Sequence, residues 1–188
     1  MSSVNIVVGL SGVGKSTVLE KAMQKSDREY TVINYGDRMI ETAKDRGLVD
    51  DRDEMKDLDV ETYKHIQKKA AESIVEDAED GNVIVDTHAA IKSPFGYIPG
   101  LPKWTVENLM PDKLVMLTAD AEDIYERSKE GGRNREHDSA DDIEEYQGVA
   151  REMAATGSVL TGAYLQIIEN EEGKADEAAE KLVETIEA

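Results

Sequence analysis

Short apolar runs and longer amphipathic stretches alternate along the chain. Five of the apolar runs are rich in β-branched residues and end at polar or turn-forming residues, a pattern typical of buried strands. They cover residues 5–8, 30–34, 82–86, 113–118 and 164–168. Because helical patterns separate these runs, the sequence predicts an α/β fold with a five-stranded, mostly parallel sheet that helices cover on both faces.

The intervening stretches place their apolar residues at helical spacing. Helices are predicted over about 16–24, 37–46 and 60–79, and a fourth begins near Ala175. In the fourth helix Ala178, Leu182 and Ile186 recur on one stripe, which we expect to face the core. A length of 188 residues suits one domain of ordinary size. We therefore expect a single domain with inserted lobes.

A glycine-rich segment directly follows the first predicted strand. Residues 9–16 read GLSGVGKS and match the phosphate-binding loop pattern G-x-x-x-x-G-K-[ST] at every fixed position. In this pattern backbone N–H groups surround phosphate oxygens, while Lys15 reaches the terminal phosphates and Ser16 ligates Mg²⁺. A chance cluster of glycines is the alternative, but strand, loop and helix follow in the required order. The residues predicted to bind a nucleoside triphosphate are Gly9, Leu10, Ser11, Gly12, Val13, Gly14, Lys15, Ser16 and Thr17.

Polar residues follow the second and third predicted strands, at the sheet edge where open α/β sheets bind ligands. Residues 34–39 read NYGDRM, and the third strand runs into Asp86 and His88. An acidic residue at that point beside a phosphate loop commonly holds the metal through water, so Asp86 is predicted to share Mg²⁺ with Ser16. The alternatives are structural: Gly36 shapes a turn and Asp37 caps the helix, Asp86 caps a helix or turn, and His88 is only a satisfied polar residue.

Two later segments also carry candidate chemistry. Residues 93–102 hold three of the four prolines of the chain, which predicts a rigid loop that frames a pocket. Arg127, Arg133 and Arg135 place three of eight arginines within nine residues. Guanidinium groups delivered by a closing loop can neutralise charge on a transferred phosphoryl group. Surface ion pairs with neighbouring glutamates are the alternative.

The excess of acidic over basic residues limits the kinds of molecule that the protein can bind. The chain has 41 acidic and 22 basic residues and a formal net charge of −19, and the acidic residues are spread along it. Such a surface repels nucleic acid, and it predicts adaptation to a salt-rich cytoplasm, where ions screen the self-repulsion. There is no cysteine, no apolar run near the ~20 residues of a membrane span, and no signal-peptide pattern. We expect a cytoplasmic protein with no membrane partner.

Taken together, these residues resemble the adenylate kinases, and the archaeal type more closely than the bacterial or eukaryotic type. The resemblance covers nearly the whole chain. It rests on the segments GLSGVGKST, NYGDRM, LVDDRDEMKDL, VIVDTHAAIKSPFGYIPGLP, GGRNRE and VLTGAYLQIIEN. Many ATPases share the first segment, whereas the run from VDTH to GLP is specific.

The resemblance implies a P-loop kinase over residues 1–188, with an NMP-binding lobe over about 35–80 and a short lid over about 128–140. The implied reaction is reversible, Mg²⁺-dependent phosphoryl transfer from ATP to AMP, giving two ADP. The loop over residues 170–174 would hold the adenine of ATP through backbone groups. The implied AMP-binding residues are Tyr35, Gly36, Arg38, Arg52 and Lys92, with Arg38 or Arg52 at the phosphate. The implied catalytic residues are Lys15, Arg127, Arg133 and Arg135.

The sequence departs from the family pattern after the third strand. Most bacterial and eukaryotic members have an arginine in a G-[FY]-P-R motif there, whereas GYIPG has none, and Lys92 is the candidate replacement. The short lid has no cysteines, so no structural zinc is predicted. Archaeal members commonly form trimers, and the sequence neither shows nor excludes a homotrimer. Two other functions stay open: a P-loop kinase for another nucleoside monophosphate or small acceptor, and a nucleotide-dependent switch.

Overall fold

The computed structural model describes residues 3–130 and 139–188. In chain order the strands are β1 (Val4–Val8), β2 (Tyr30–Asn34), β3 (Asn82–Thr87), β4 (Ala90–Ser93), β5 (Gly96–Pro99), β6 (Lys113–Thr118) and β7 (Tyr164–Glu169). The helices are α1 (Lys15–Lys25), α2 (Tyr35–Asp45), α3 (Val60–Glu79), α4 (Lys103–Leu109), α5 (Ala121–Glu130), α6 (Ala140–Thr161) and α7 (Ala175–Glu187). A short 3-10 helix (Asp53–Asp57) lies between α2 and α3.

Five strands form one sheet in the order β2-β3-β1-β6-β7, and every neighbouring pair is parallel. This confirms the predicted five-stranded sheet. Val8 lies opposite Thr87, and Asn34 lies opposite Asp86, so the carboxyl ends of β1, β2 and β3 meet at one edge. The chain passes to opposite sides of β1, which makes this edge the point where open α/β sheets form their ligand crevice.

The apolar core follows from the central position of β1 and β6. All five residues of β1 are buried, and so is β6 after its first residue. Helix α7 packs on α1, while α3 packs on α2 and α4, and α6 packs on α4 and α5. Side chains that are fully buried include Ile6, Ile66, Ile84, Leu114 and Leu182. Within the described part of the chain, no helix is both long enough and apolar enough to cross a membrane.

The proline-rich segment differs from its predicted form. Instead of a loop, residues 90–99 form the antiparallel hairpin β4–β5, in which Ala90 lies opposite Pro99. Gly100 closes the base of this hairpin and donates a backbone hydrogen bond of 2.9 Å to the Ala89 carbonyl. A Cβ at Gly100 would lie 2.0 Å from the His88 carbonyl oxygen, so only glycine permits this close approach.

Candidate functional site

The loop between β1 and α1 has the backbone form that its glycines predict. Gly12 and Gly14 adopt φ values of 88° and 83°, in the left-handed region that favours glycine. A Cβ at Gly9 would lie 2.9 Å from Val13 Cγ2, so the loop packs closely on itself. Helix α1 begins directly after Gly14, and its first N–H groups have no intrahelical acceptor. The loop and the helix end together therefore form an anion-binding site.

A cleft of about 850 Å³ lies over this loop. Its walls come from the carboxyl ends of β2 and β3, the hairpin strand β4 and the first turns of α6. The lining residues are Leu10, Ser11, Gly12, Gly14, Lys15, Ser16, Thr17, Asn34, Asp86, His88, Ile91, Lys92, Ser93, Pro94 and Tyr146. The structure thus brings the predicted triphosphate loop, the predicted metal residues and Lys92 into one cleft.

Lys15 and Asp86 form an ion pair at the floor of this cleft. Their side chains are 11% and 15% exposed. The Asn34 side-chain amide donates a 3.3 Å hydrogen bond to the second carboxylate oxygen of Asp86. Burial lowers the pKa of the Lys15 ammonium group to about 8. A phosphate anion in the cleft would favour the charged form of Lys15, because an opposite charge stabilises the ammonium group.

His88 links the end of β3 to the phosphate loop. Its Nδ1 atom donates a hydrogen bond of 2.8 Å to the Gly9 carbonyl. This contact supports the interpretation of His88 as a satisfied polar residue, although its ring also borders the cleft.

Both predicted metal ligands supply oxygen atoms to the cleft. The Ser16 side chain stands in the first turn of α1, and Asp86 stands at the end of β3. Hydroxyl and carboxylate oxygens are the donors that Mg²⁺ prefers in proteins. Among residues 3–130 and 139–188, no group of three or more His, Cys, Asp or Glu side chains could hold a metal. A magnesium ion here would therefore take its other ligands from phosphate oxygens and water.

Arg127 reaches the phosphate loop from α5. One Nη atom donates a 3.0 Å hydrogen bond to the Gly12 carbonyl, and Nε donates a 3.1 Å hydrogen bond to Glu172. The other Nη atom also pairs with Glu172. The predicted catalytic residue Arg127 is thus beside the loop. Arg133 and Arg135 lie outside the described residues, as do most positions of the predicted lid.

Lys92 and Arg52 lie in different parts of the structure, Lys92 in the cleft and Arg52 directly before the 3-10 helix. Lys92 lines the cleft and forms an ion pair with Asp142 in the first turn of α6. Arg52 is 65% exposed and pairs with Asp37. Its guanidinium group lies 4.0 Å from the point where a Cβ on Gly36 would stand. Both cations have accessible surface from which a phosphate could be bound.

Arg38 and Tyr35 are held away from the cleft. Arg38 donates hydrogen bonds of 3.0 Å to Ser73 Oγ and 2.7 Å to Asp77, so its guanidinium group lies against α3. Tyr35 is only 2% exposed. Its hydroxyl donates a 2.7 Å hydrogen bond to the Gln67 carbonyl, and burial raises its pKa. In this structure both side chains support the packing of α2 on α3, and neither lines the cleft.

The contact between the hairpin and α6 was missed by sequence reasoning. The Tyr146 hydroxyl accepts a 3.1 Å hydrogen bond from the Lys92 backbone N–H and donates one of 3.0 Å to the Ala90 carbonyl. The Tyr97 ring lies 5.2 Å from the Tyr146 ring, centroid to centroid. A tyrosine in an amphipathic helix gives no sequence signal for such a contact. It fixes the strand that carries Lys92.

The chain is similar to a known family model, to known proteins and to a solved structure. Residues 8–145 match the family model described as "AAA domain". The adenylate kinase of Methanocaldococcus jannaschii is 42% identical over 98% of this chain and 98% of its own. The adenylate kinase of Methanopyrus kandleri is 42% identical over 99% of this chain and 98% of its own. A shikimate kinase structure from Bacteroides thetaiotaomicron aligns over both full lengths with a TM-score of 0.60 and 13% identity, a similarity of fold alone.

Proposed function

The chain belongs to the adenylate kinase family, and we propose that it catalyses reversible phosphoryl transfer from ATP to AMP, giving two molecules of ADP. Identity of 42% to an adenylate kinase over 98% of the chain supports this. One structural observation carries the proposal: Lys15 of the phosphate loop and Lys92 of the hairpin line the same cleft. Cations on two separate elements suit a reaction in which two phosphate-bearing substrates must meet.

We propose that the triphosphate binds at the loop of residues 9–17. The positive φ values of Gly12 and Gly14 give the loop its tight curvature, and the N-terminus of α1 adds uncommitted N–H donors. Lys15 and Arg127 would spread the charge of the transferred phosphoryl group as catalytic residues. Arg133 and Arg135 stay predictions in the same role.

The proposed AMP site lies between the hairpin and α2. Lys92 and Arg52 are the proposed phosphate-binding residues, because both side chains present charge at accessible surface. Gly36 places no side chain beside the Arg52 guanidinium group, which lies 4.0 Å from the point where a Cβ would stand. We assign Tyr35 and Arg38 a supporting role, since their polar atoms are bonded to α3. An NMP-binding lobe over about 35–80 and a lid over about 128–140 stay part of the proposal.

The residues of the cleft fit a magnesium ion held by Ser16 and, through water, by Asp86. When bound, Mg²⁺ would neutralise part of the phosphate charge. Asp86 also contacts Lys15 in the cleft, so one carboxylate can serve the cation of the loop and the proposed metal position.

The chemistry needs no covalent enzyme intermediate. An AMP phosphate oxygen attacks the γ-phosphorus of ATP, the bond from that phosphorus to the bridging oxygen breaks, and ADP leaves. The acceptor is already anionic, so no catalytic base is required. The work of the protein is to hold both nucleotides in line, to neutralise charge and to exclude water that would otherwise hydrolyse ATP.

An acceptor screen tests this proposal. Purified protein with ATP and Mg²⁺ is supplied in turn with AMP, GMP, CMP, UMP or shikimate, and ADP formation is followed with a coupled assay. We expect AMP to accelerate ADP formation well above the rate without acceptor. If another acceptor supports turnover and AMP does not, the chain is a kinase for that acceptor. If no acceptor raises the rate, the nucleotide-dependent switch becomes the better description.

Three further properties belong to the proposal. A cytoplasmic location is supported by the proposed nucleotide substrates. A homotrimer is suggested by the archaeal family resemblance alone. Adaptation to high salt is supported by the net charge of −19.

A further inference from the structure

Asn170, directly after β7, connects three parts of the fold that carry the triphosphate site. The residue is 5% exposed. Its side-chain Nδ2 atom donates a 2.8 Å hydrogen bond to the carbonyl of Val13 in the phosphate loop. Its backbone N–H donates a 2.8 Å hydrogen bond to the Thr118 carbonyl at the end of β6. The loop is thereby tied to the carboxyl ends of β6 and β7.

The contact determines how one peptide group of the loop is oriented. A trans peptide is planar, so the N–H of Gly14 points opposite to the C=O of Val13. Because Asn170 holds that carbonyl on the buried side, the Gly14 N–H is turned toward the opposite side. Gly14 lines the cleft. The Asn170 amide thus aims a backbone donor at the space where phosphate oxygens would lie.

The packing around Gly14 shows how closely the two residues are fitted. A Cβ added to Gly14 would lie 2.5 Å from Asn170 Nδ2, and Gly14 also has a φ of 83°. Glycine is therefore required at this position for two independent reasons. A side chain at residue 14 would displace the Asn170 amide as well as strain the loop.

The two ends of the Asn170 amide differ in their partners. Its Oδ1 atom is buried and has no hydrogen-bond partner in the described structure. A buried unpaired acceptor destabilises the folded state, so this half of the amide adds nothing to stability. The amide is useful for its donor, which faces Val13.

We propose that Asn170 is a positioning residue for ATP, which acts by orienting the Val13–Gly14 peptide. The proposal rests on the proposed function, since it names a residue that supports the triphosphate side of the same site. It requires that changes at Asn170 affect ATP selectively and leave AMP recognition almost unchanged.

The test uses two variants, Asn170→Ala and Asn170→Asp. We expect each to raise the KM for ATP by about fivefold or more at pH 8, as loss of one buried hydrogen bond predicts, while the KM for AMP changes less than about twofold. Asn170→Asp keeps the shape of the side chain. As the pH falls toward about 6, its buried carboxyl group protonates and regains an O–H donor for the Val13 carbonyl. Its KM for ATP should then approach the parent value at the same pH.

Asn5 provides a matched control. It is fully buried, and its Oδ1 atom also lacks a partner in the described structure. It lies near the amino end of β1, whereas the phosphate loop follows the carboxyl end of that strand. Asn5→Ala and Asn5→Asp should lower the melting temperature and leave both KM values within about twofold of the parent. The inference is overturned if the Asn170 variants only lower the melting temperature, as the Asn5 variants do, or if they raise both KM values equally.

The two proposals fail in different ways. If the parent protein shows no AMP-dependent turnover, the proposed function is wrong. Calorimetric titration with ATP then decides the role of Asn170 without any reaction. Weaker ATP binding by Asn170→Ala than by Asn5→Ala at pH 8 supports the inference, and equal affinities overturn it.

Discussion

Replacement of Lys15 by methionine separates its chemical role from its structural one. Methionine keeps an unbranched apolar stem of similar length and removes the ammonium group. In the structure that group pairs with Asp86, and the two side chains are only 11% and 15% exposed. The substitution therefore removes a phosphate contact and also leaves Asp86 with fewer partners.

The two effects differ in size. Loss of one contact that strengthens in the transition state is worth ~3 to 4 kcal/mol, or about a hundredfold to a thousandfold in rate. Breaking a fully buried ion pair can destabilise a fold by about 3 to 5 kcal/mol. The loss should be smaller here, on the order of 1 kcal/mol, because the cleft admits water and the Asn34 amide still donates to Asp86 at 3.3 Å. Turnover should thus fall far more than stability.

The assay measures ADP formation from ATP and AMP together with the melting temperature. Lys21→Met is the matched control: Lys21 lies on the same helix, pairs with Asp176 at 2.7 Å and is 34% exposed. Its turnover should stay within about twofold of the parent. The double variant Lys15→Met with Asp86→Asn should recover the melting temperature and not the rate. Turnover by Lys15→Met within a few fold of the parent would refute the reasoning.

Three further predictions address the arginines, the pH and the salt. Arg127→Ala removes the 3.0 Å contact to the Gly12 carbonyl and should lower kcat by about a hundredfold or more. We expect the same effect on kcat from Arg133→Ala and Arg135→Ala. Rates within a few fold of the parent would identify these arginines as members of surface ion pairs. Burial lowers the pKa of Lys15 to about 8, and bound ATP would favour its ammonium form, so ATP binding takes up a proton near this pH. Affinity for ATP, measured by calorimetry, should be highest below pH 8 and should fall by up to about tenfold between pH 8 and about pH 9. An affinity that is unchanged or rises over this range would contradict the prediction. With a net charge of −19, the melting temperature and the activity should rise between about 0.1 M and about 3 M KCl, and a flat or falling melting temperature would contradict salt adaptation.

The phosphate loop and the sheet were predictable because each depends on local pattern. Gly12 and Gly14 are required by their own backbone angles, and strands of buried β-branched residues can pair in parallel in few ways. Asn34 and Asp86 lie opposite each other because β2 and β3 are neighbouring parallel strands whose ends meet at one edge, a strand order that the sequence pattern did not predict. The hairpin β4–β5 did not follow, because its prolines indicate a loop. Both strands of a two-stranded hairpin are edge strands, and an edge strand tolerates a proline such as Pro99 where a central strand would not.

The two arginines proposed for the monophosphate site have different surroundings in the structure. The family resemblance implied either Arg38 or Arg52 at the AMP phosphate. Helix α2 buries Tyr35, Met39 and Ala43 at i, i+4 and i+8. Arg38 stands beside that stripe and reaches Ser73 and Asp77 on α3. Arg52 lies before the 3-10 helix and keeps an exposed guanidinium group. Only the packing of α2 on α3 distinguishes the two.

The acidic composition has a direct consequence for the proposed site. Four cations that would meet phosphate are each paired with a carboxylate in the described structure. These pairs are Lys15 with Asp86, Lys92 with Asp142, Arg52 with Asp37, and Arg127 with Glu172. When a nucleotide binds at such a site, its phosphate groups replace the carboxylates as partners of these cations.

This exchange alters the expected effect of salt on substrate binding. Dissolved ions screen the pairs within the protein and the contacts with phosphate alike, so the two losses partly cancel in the binding free energy. The self-repulsion of a chain with 41 acidic residues has no such compensation, and its screening stabilises the folded state. We consequently expect the KM values to change little over the range of salt concentration in which the melting temperature rises. An acidic surface and a phosphate-binding cleft are then compatible, because the carboxylates that pair with the cations also moderate their affinity for ions in solution.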